Sequence, residues 1–67
     1  MTVSIELNGE TLRTEAATLA DLLDEKGYNG AVVATALNGT FLPKGLRASA
    51  PLSDGDAVEI VAPMQGG

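Results

Sequence analysis

Val3-Ser4-Ile5-Glu6-Leu7-Asn8-Gly9-Glu10-Thr11-Leu12-Arg13-Thr14 is the stretch from which the fold can be read. Val3, Ile5 and Leu7 alternate with Ser4 and Glu6, the period-two pattern of a strand with one buried face. Asn8-Gly9 offers the two positive φ angles that a two-residue type I′ hairpin requires. Counting back from that turn sets Leu7 opposite Glu10, Ile5 opposite Leu12 and Val3 opposite Thr14. Ile5 and Leu12 then share one face, while Ser4 and Arg13 share the other. Pattern and turn agree: the chain opens with a β-hairpin that has one side to bury.

Something downstream must cover that side. Thr18-Leu19-Ala20-Asp21 reads as a helix start, with Thr18 as N-cap and the acid at the third helical position able to reach back. Leu19, Leu22 and Leu23 form one apolar stripe at helical spacing. Asp21, Asp24 and Glu25 fall outside it and read as a solvated face. Gly27 suits the left-handed residue after a helix, and Lys26 complements the negative end of the helix dipole. Tyr28 falls where a Schellman motif places its apolar contact, against Leu23. A helix of about two and a half turns is stable only when its Leu stripe packs on a sheet.

Ala31 to Leu37 is apolar except for Thr35. It reads as a strand covered on one face and lined by small Ala on the other. Asn38-Gly39 is a second hairpin signal, leading into Phe41-Leu42 and a stop at Pro43. Residues 43–53 read as irregular, with Leu46 and Leu52 as anchors into the core. Ser53-Asp54-Gly55-Asp56 is a turn into the last strand, Ala57 to Ala62, where Val58 and Ile60 point one way and Glu59 and Val61 the other. The first and last strands are too far apart for a hairpin but can lie parallel through a right-handed crossover. The class is α+β: a mixed, four- to five-stranded sheet with one main helix across one face. That is the β-grasp, or ubiquitin-like, arrangement.

With 67 residues the chain reads as one domain, 1–67, of the size that is marginal without outside help. It has no Cys and no His, which excludes disulfide staples, ordinary zinc sites and Cys or His nucleophiles. Nine acidic residues against four basic ones, a net charge of −5, oppose nucleic acid as a partner and suit a basic docking surface. Neither a signal peptide nor an apolar run of membrane length is present, so the expectation is a soluble, cytoplasmic protein with no membrane partner.

The remaining motifs have bland readings. Asp54 and Asp56 bracket a turn glycine and read as Asx turn chemistry, not as a carboxylate pair; an EF-hand would need further ligands. Asn38-Gly39-Thr40 matches a glycosylation acceptor but, without secretion, is the hairpin turn. Lys44 and Arg47 read as surface residues. No constellation of residues here can perform acid–base or nucleophilic catalysis on its own, and no cofactor or metal site is expected.

Met64-Gln65-Gly66-Gly67 is left over, after Pro63. Terminal glycines add nothing to a core. They are either a frayed end or a narrow arm whose carboxylate another protein activates.

The chain resembles the ThiS-type sulfur carriers of thiamine biosynthesis, relatives of the small subunit of molybdopterin synthase. The resemblance rests on the β-grasp order, on Ala36-Leu37-Asn38-Gly39 followed by Leu42-Pro43-Lys44, on the run from Leu52 through Asp54-Gly55-Asp56 to Val58-Glu59-Ile60, and on Gly66-Gly67. It covers the whole chain. It implies a protein cosubstrate, not an enzyme. A ThiF-type adenylyltransferase would use ATP to adenylate the Gly67 carboxylate, and sulfur from a cysteine desulfurase or another persulfide donor would convert it to 1-thioglycine. The thiocarboxylate would then supply a thiazole synthase. Gly66, Gln65 and Met64 would be held by the partner, and Met64-Gln65 departs from the small or β-branched residue and Ala common in such chains. A sheet face near Ala34, Ala36 and Val61 would dock the partners. Molybdopterin synthesis, or an interaction module with an inert tail, is the alternative.

Overall fold

In the computed structural model, which describes residues 2–28 and 32–62, the first hairpin has the expected register. β1 (Val3–Leu7) and β2 (Glu10–Thr14) pair Val3 with Thr14, Ile5 with Leu12 and Leu7 with Glu10. Asn8 and Gly9 both have positive φ, as a type I′ turn demands. Ile5 is buried and Ser4 and Glu6 are not, so the alternation carries over into packing.

The helix α1 (Leu19–Glu25) lays Leu19, Leu22 and Leu23 into the core, against Ile5, Val58 and Ile60. Its N-cap is Thr18, whose Oγ1 accepts from the Asp21 backbone N–H at 3.2 Å. Among the described residues the return bond from the Asp21 carboxylate is not formed. The helix start is tied down by tertiary bonds instead: Leu19 N–H donates to the Ala50 carbonyl and Leu52 N–H to the Ala17 carbonyl. The C-terminus is a full Schellman motif. Tyr28 N–H reaches the Leu23 carbonyl, Gly27 N–H reaches that of Asp24, and Gly27 has φ 83°. Tyr28 packs on the cluster that contains Leu23. Glu25, on the otherwise solvated face, accepts from the hydroxyl of buried Thr14 at 2.8 and 2.9 Å.

β3 (Ala34–Leu37) and β4 (Thr40–Leu42) form the second hairpin around Asn38-Gly39, and β5 is Ala57–Val61. The five strands run in the order β2-β1-β5-β3-β4, with β5 parallel to β1 and antiparallel to β3. The strand formed last in sequence is therefore central in space. Sheet plus one helix is the β-grasp arrangement.

Several expectations are corrected, the smallest being that the last strand ends at Val61 and not at Ala62. The third strand begins at Ala34 and not at Ala31; Val32 and Val33 are outside it, and Ala31 lies outside the described residues. Ala34 pairs with Val61, so a longer ladder would bring residue 32 opposite Pro63, which has no N–H to donate. Residues 43–53 are not wholly irregular, because Lys44–Ser49 form a 3-10 helix. Within it Leu46 is 52% exposed and is no anchor, whereas Arg47, expected at the surface, is buried. The core contribution of this segment comes from Ala50 and Leu52.

Candidate functional site

The central strand β5 leads into the tail, so what holds β5 determines where the tail starts. Its pairing with β1 is short: Glu6 opposite Ala57 and Leu7 opposite Val58. Side chains extend that ladder at both ends. At the start, Asp54 Oδ1 accepts from Ser4 N–H at 2.7 Å, and Gly55 N–H donates to the Ser4 carbonyl at 2.8 Å. At the other end β1 has already turned away into its hairpin. There the Asn8 carboxamide replaces the missing backbone: Ile60 N–H donates to its Oδ1 at 2.9 Å, and its Nδ2 donates to the Ile60 carbonyl at 3.1 Å. A primary amide presents one acceptor and a donor side by side, which suits both backbone groups of one strand residue.

Asn38, at the other hairpin, holds the opposite end of β5. Ala57 N–H donates to its Oδ1 at 2.9 Å, and its Nδ2 donates to Asp56 Oδ1 at 3.0 Å. The second Asp56 oxygen accepts from Ser53 N–H at 2.8 Å. Asp54 and Asp56 are thus turn groups, as expected, and also link that turn to β1 and to the second hairpin. Among the described residues no cluster of acidic side chains could hold a metal ion.

One half of the outward sheet face is largely apolar, with the exposed Glu59 opposite Ala36 as its charged residue. Ala34 lies opposite Val61 and Ala36 opposite Phe41 on that face. Phe41 is 66% exposed, Val61 61% and Val32 81%. Val32, Val33, Ala34 and Val61 line an open hollow of about 270 Å³. A chain of this size has no structural use for three such large apolar groups in water, and contiguous exposed patches mark interaction surfaces. The other half, with Ser4, Glu6, Thr11 and Arg13, is polar by alternation.

Arg47 supports the apolar half from the core side. Its Nη2 donates to the Val33 carbonyl at 2.6 Å and its Nε to Thr35 Oγ1 at 3.0 Å. Thr35 in turn donates to the Leu42 carbonyl at 2.8 Å. A buried guanidinium with oriented acceptors fixes geometry more than it adds stability. Here it fixes the approach to β3, where two of the hollow's lining residues sit.

Of the site residues expected from sequence, Gly67, Gly66, Gln65 and Met64 lie outside the described residues. Ala34, Ala36 and Val61 do come together on one face. Phe41 was missed, although counting back from Asn38-Gly39 sets it beside Ala36. The roles of Asn8, Asn38 and Arg47 had no local signal, since each acts on a strand distant in sequence.

The whole chain, residues 1–67, matches the model of the ThiS family. A sulfur carrier protein ThiS of Thermus thermophilus is 49% identical over 63 residues, which is 91% of this chain and 95% of that one. An uncharacterized protein, ycf40, of Porphyra purpurea is 36% identical over 66 residues, 97% of this chain and 93% of the other. Among solved structures, the thiamine biosynthesis protein ThiS of Geobacter metallireducens superposes with a TM-score of 0.80 at 29% identity. That match covers 97% of this chain and all of the other.

Proposed function

The chain belongs to the ThiS family and is a sulfur carrier of thiamine biosynthesis, not a catalyst; on that premise we propose that its reactive group is the carboxylate of Gly67. The observation that supports this reading most is the placement of β5. The central strand ends at Val61, inside the exposed apolar patch, so a protein docked on that patch meets whatever follows Ala62. Five extended residues reach at most roughly 17 Å. A catalytic site that takes Gly67 therefore belongs to a partner whose surface covers the patch.

The chemistry is acyl activation. An oxygen of the Gly67 carboxylate attacks the α-phosphorus of ATP and pyrophosphate leaves. The terminal sulfur of a persulfide attacks the acyl carbon and AMP leaves, forming an acyl disulfide. A thiol cleaves that disulfide, releasing the thiocarboxylate and taking the other sulfur into a new disulfide. The thiocarboxylate sulfur is then the nucleophile offered to a thiazole-forming enzyme. Glycine at 66 and 67 keeps the acyl carbon unhindered and lets the arm enter a narrow channel. Met64 and Gln65, the last residues with side chains, are the positions at which partners would tell this arm from another. ATP belongs to the adenylating partner, and this chain holds no cofactor of its own. The whole of 1–67 acts as one carrier domain with 64–67 as its arm, working in the cytoplasm.

Incubation with a ThiF-type adenylyltransferase, ATP and a persulfide donor tests the reading by intact mass. The expected result is exchange of one oxygen for sulfur at Gly67. Deleting Gly67 is expected to abolish it, and Gly67→Ala to slow it. Exchange that proceeds normally in the deletion variant overturns the proposal. Replacing Gly66 and Gly67 by Ser separates it from an interaction module, in which that change is silent.

A further inference from the structure

We propose that Glu59 decides which surface can dock on the outward face: the adenylating partner must set a lysine or arginine against its carboxylate, inside an otherwise apolar contact. This deepens the sulfur-carrier reading and rests on it.

Glu59 lies on β5, the central strand, between buried Val58 and Ile60, and is itself exposed. It stands opposite Ala36, which stands opposite Phe41, so one row across β5, β3 and β4 reads carboxylate, methyl, exposed ring. The next row is Val61 and Ala34, roughly 7 Å further along the strand. Those two residues line the hollow with Val32 and Val33. Across β3, β4 and β5, Glu59 is the one charged residue. Glu25, Asp54 and Asp56 each accept a hydrogen bond from within the chain. Among the described residues no group donates to the Glu59 carboxylate.

A surface that fills the hollow and covers Val61 and Phe41 therefore takes water from Glu59 as well. An ionised carboxylate stripped of water with no counter-charge lowers affinity by several factors of ten. The apolar residues by themselves accept any apolar surface. Glu59 restricts them to one that carries a basic group at the matching point, which is discrimination by a repulsive element. The net charge of −5 draws basic surfaces from a distance. The demand made by Glu59 is local, and a covered pair is screened by salt far less than that general attraction.

Docking can be read before any chemistry, as the Kd of the full chain for a ThiF-type adenylyltransferase without ATP, by titration calorimetry. Glu59→Gln keeps the shape and removes the charge; it is expected to raise Kd at least about tenfold, because the partner's cation is left covered and unpaired. Glu59→Lys sets two cations together and is expected to raise Kd more than about a hundredfold. The control is Asp24→Asn on the exposed face of α1, which changes net charge equally and is expected to stay within about twofold of wild type. The ratio between Glu59→Gln and wild type is expected to persist in high salt. Glu59 is exposed in the free chain, so melting temperatures are expected to stay close to that of wild type.

A Glu59→Gln chain that binds as well as wild type overturns the proposal, since the carboxylate then stays in water. One that binds more tightly also overturns it, since the carboxylate is then covered without a cation. An equal loss in Asp24→Asn does the same, assigning the effect to net charge. If the wild-type chain still exchanges oxygen for sulfur at Gly67, these results leave the carrier reading standing. A wild-type chain that neither binds the adenylyltransferase nor undergoes that exchange overturns both.

Discussion

Asn8-Gly9 and Asn38-Gly39 share one backbone conformation: both asparagines have φ 52°, and the glycines have φ 87° and 81°. Both turns close a hairpin, and both asparagine side chains bond to β5. They differ in what they replace. Asn8 stands in for a whole strand residue, taking the N–H and the carbonyl of buried Ile60. Asn38 joins one backbone N–H to a carboxylate at an exposed corner. The same dipeptide is thus a substitute strand at one end of β5 and a turn brace at the other. The physical difference is solvent. Water can replace the exposed bonds at Ala57 and Asp56 more readily than the part-buried pair at Ile60.

The variants that separate the two sites follow that difference. Asn8→Ala should have the largest effect, about 3 kcal/mol of lost stability, because it removes two part-buried bonds and forces a Cβ residue without a compensating side chain into the left-handed region. Urea denaturation of the purified chain measures it. Asn8→Gly keeps the turn and should cost about 2 kcal/mol; a cost equal to that of alanine would assign the effect to the backbone and remove the distinction drawn here. Asn38→Asp sets a second carboxylate beside Asp56 in place of a donor and should cost about 1 kcal/mol, a loss that shrinks in high salt. Asn38→Gly should be the mildest, about 0.5 kcal/mol. For a chain this size 1 kcal/mol corresponds to roughly 4–8 °C in melting temperature, so thermal scans rank all four. A larger loss at Asn38 than at Asn8 would reverse the comparison.

Much of this was readable along the chain. The register of β1 and β2 followed from a two-residue turn, since a type I′ hairpin leaves no freedom in pairing. The ends of α1 followed from Thr18 and Gly27, which act on backbone groups a few residues away. The inward set of β5 followed from alternation. Leu46 and Arg47 were misplaced for one reason: a 3-10 turn has neither the period of a helix nor that of a strand, so its buried side has no pattern to read. Arg47 is inside because Val33 and Thr35 offer it acceptors, and Leu46 is outside because that turn faces it to water. The break in apolar character at Thr35 is the same fact from the other strand, a hydroxyl placed where Arg47 and the Leu42 carbonyl need it.

By itself, the sequence determined the local pieces, the α+β class and the absence of Cys and His, because turns, caps and periodicity act over a few residues and composition over the whole chain. Only the tertiary structure decided that β5 lies at the centre, that Arg47 is buried beneath Val33 and Thr35, and that Asn8 reaches across 52 residues of sequence to Ile60. A carboxamide at a turn looks the same in sequence whether it meets water or a strand. What it meets depends on which strands the packing of α1 against the sheet brings together, and that is a property of the whole fold.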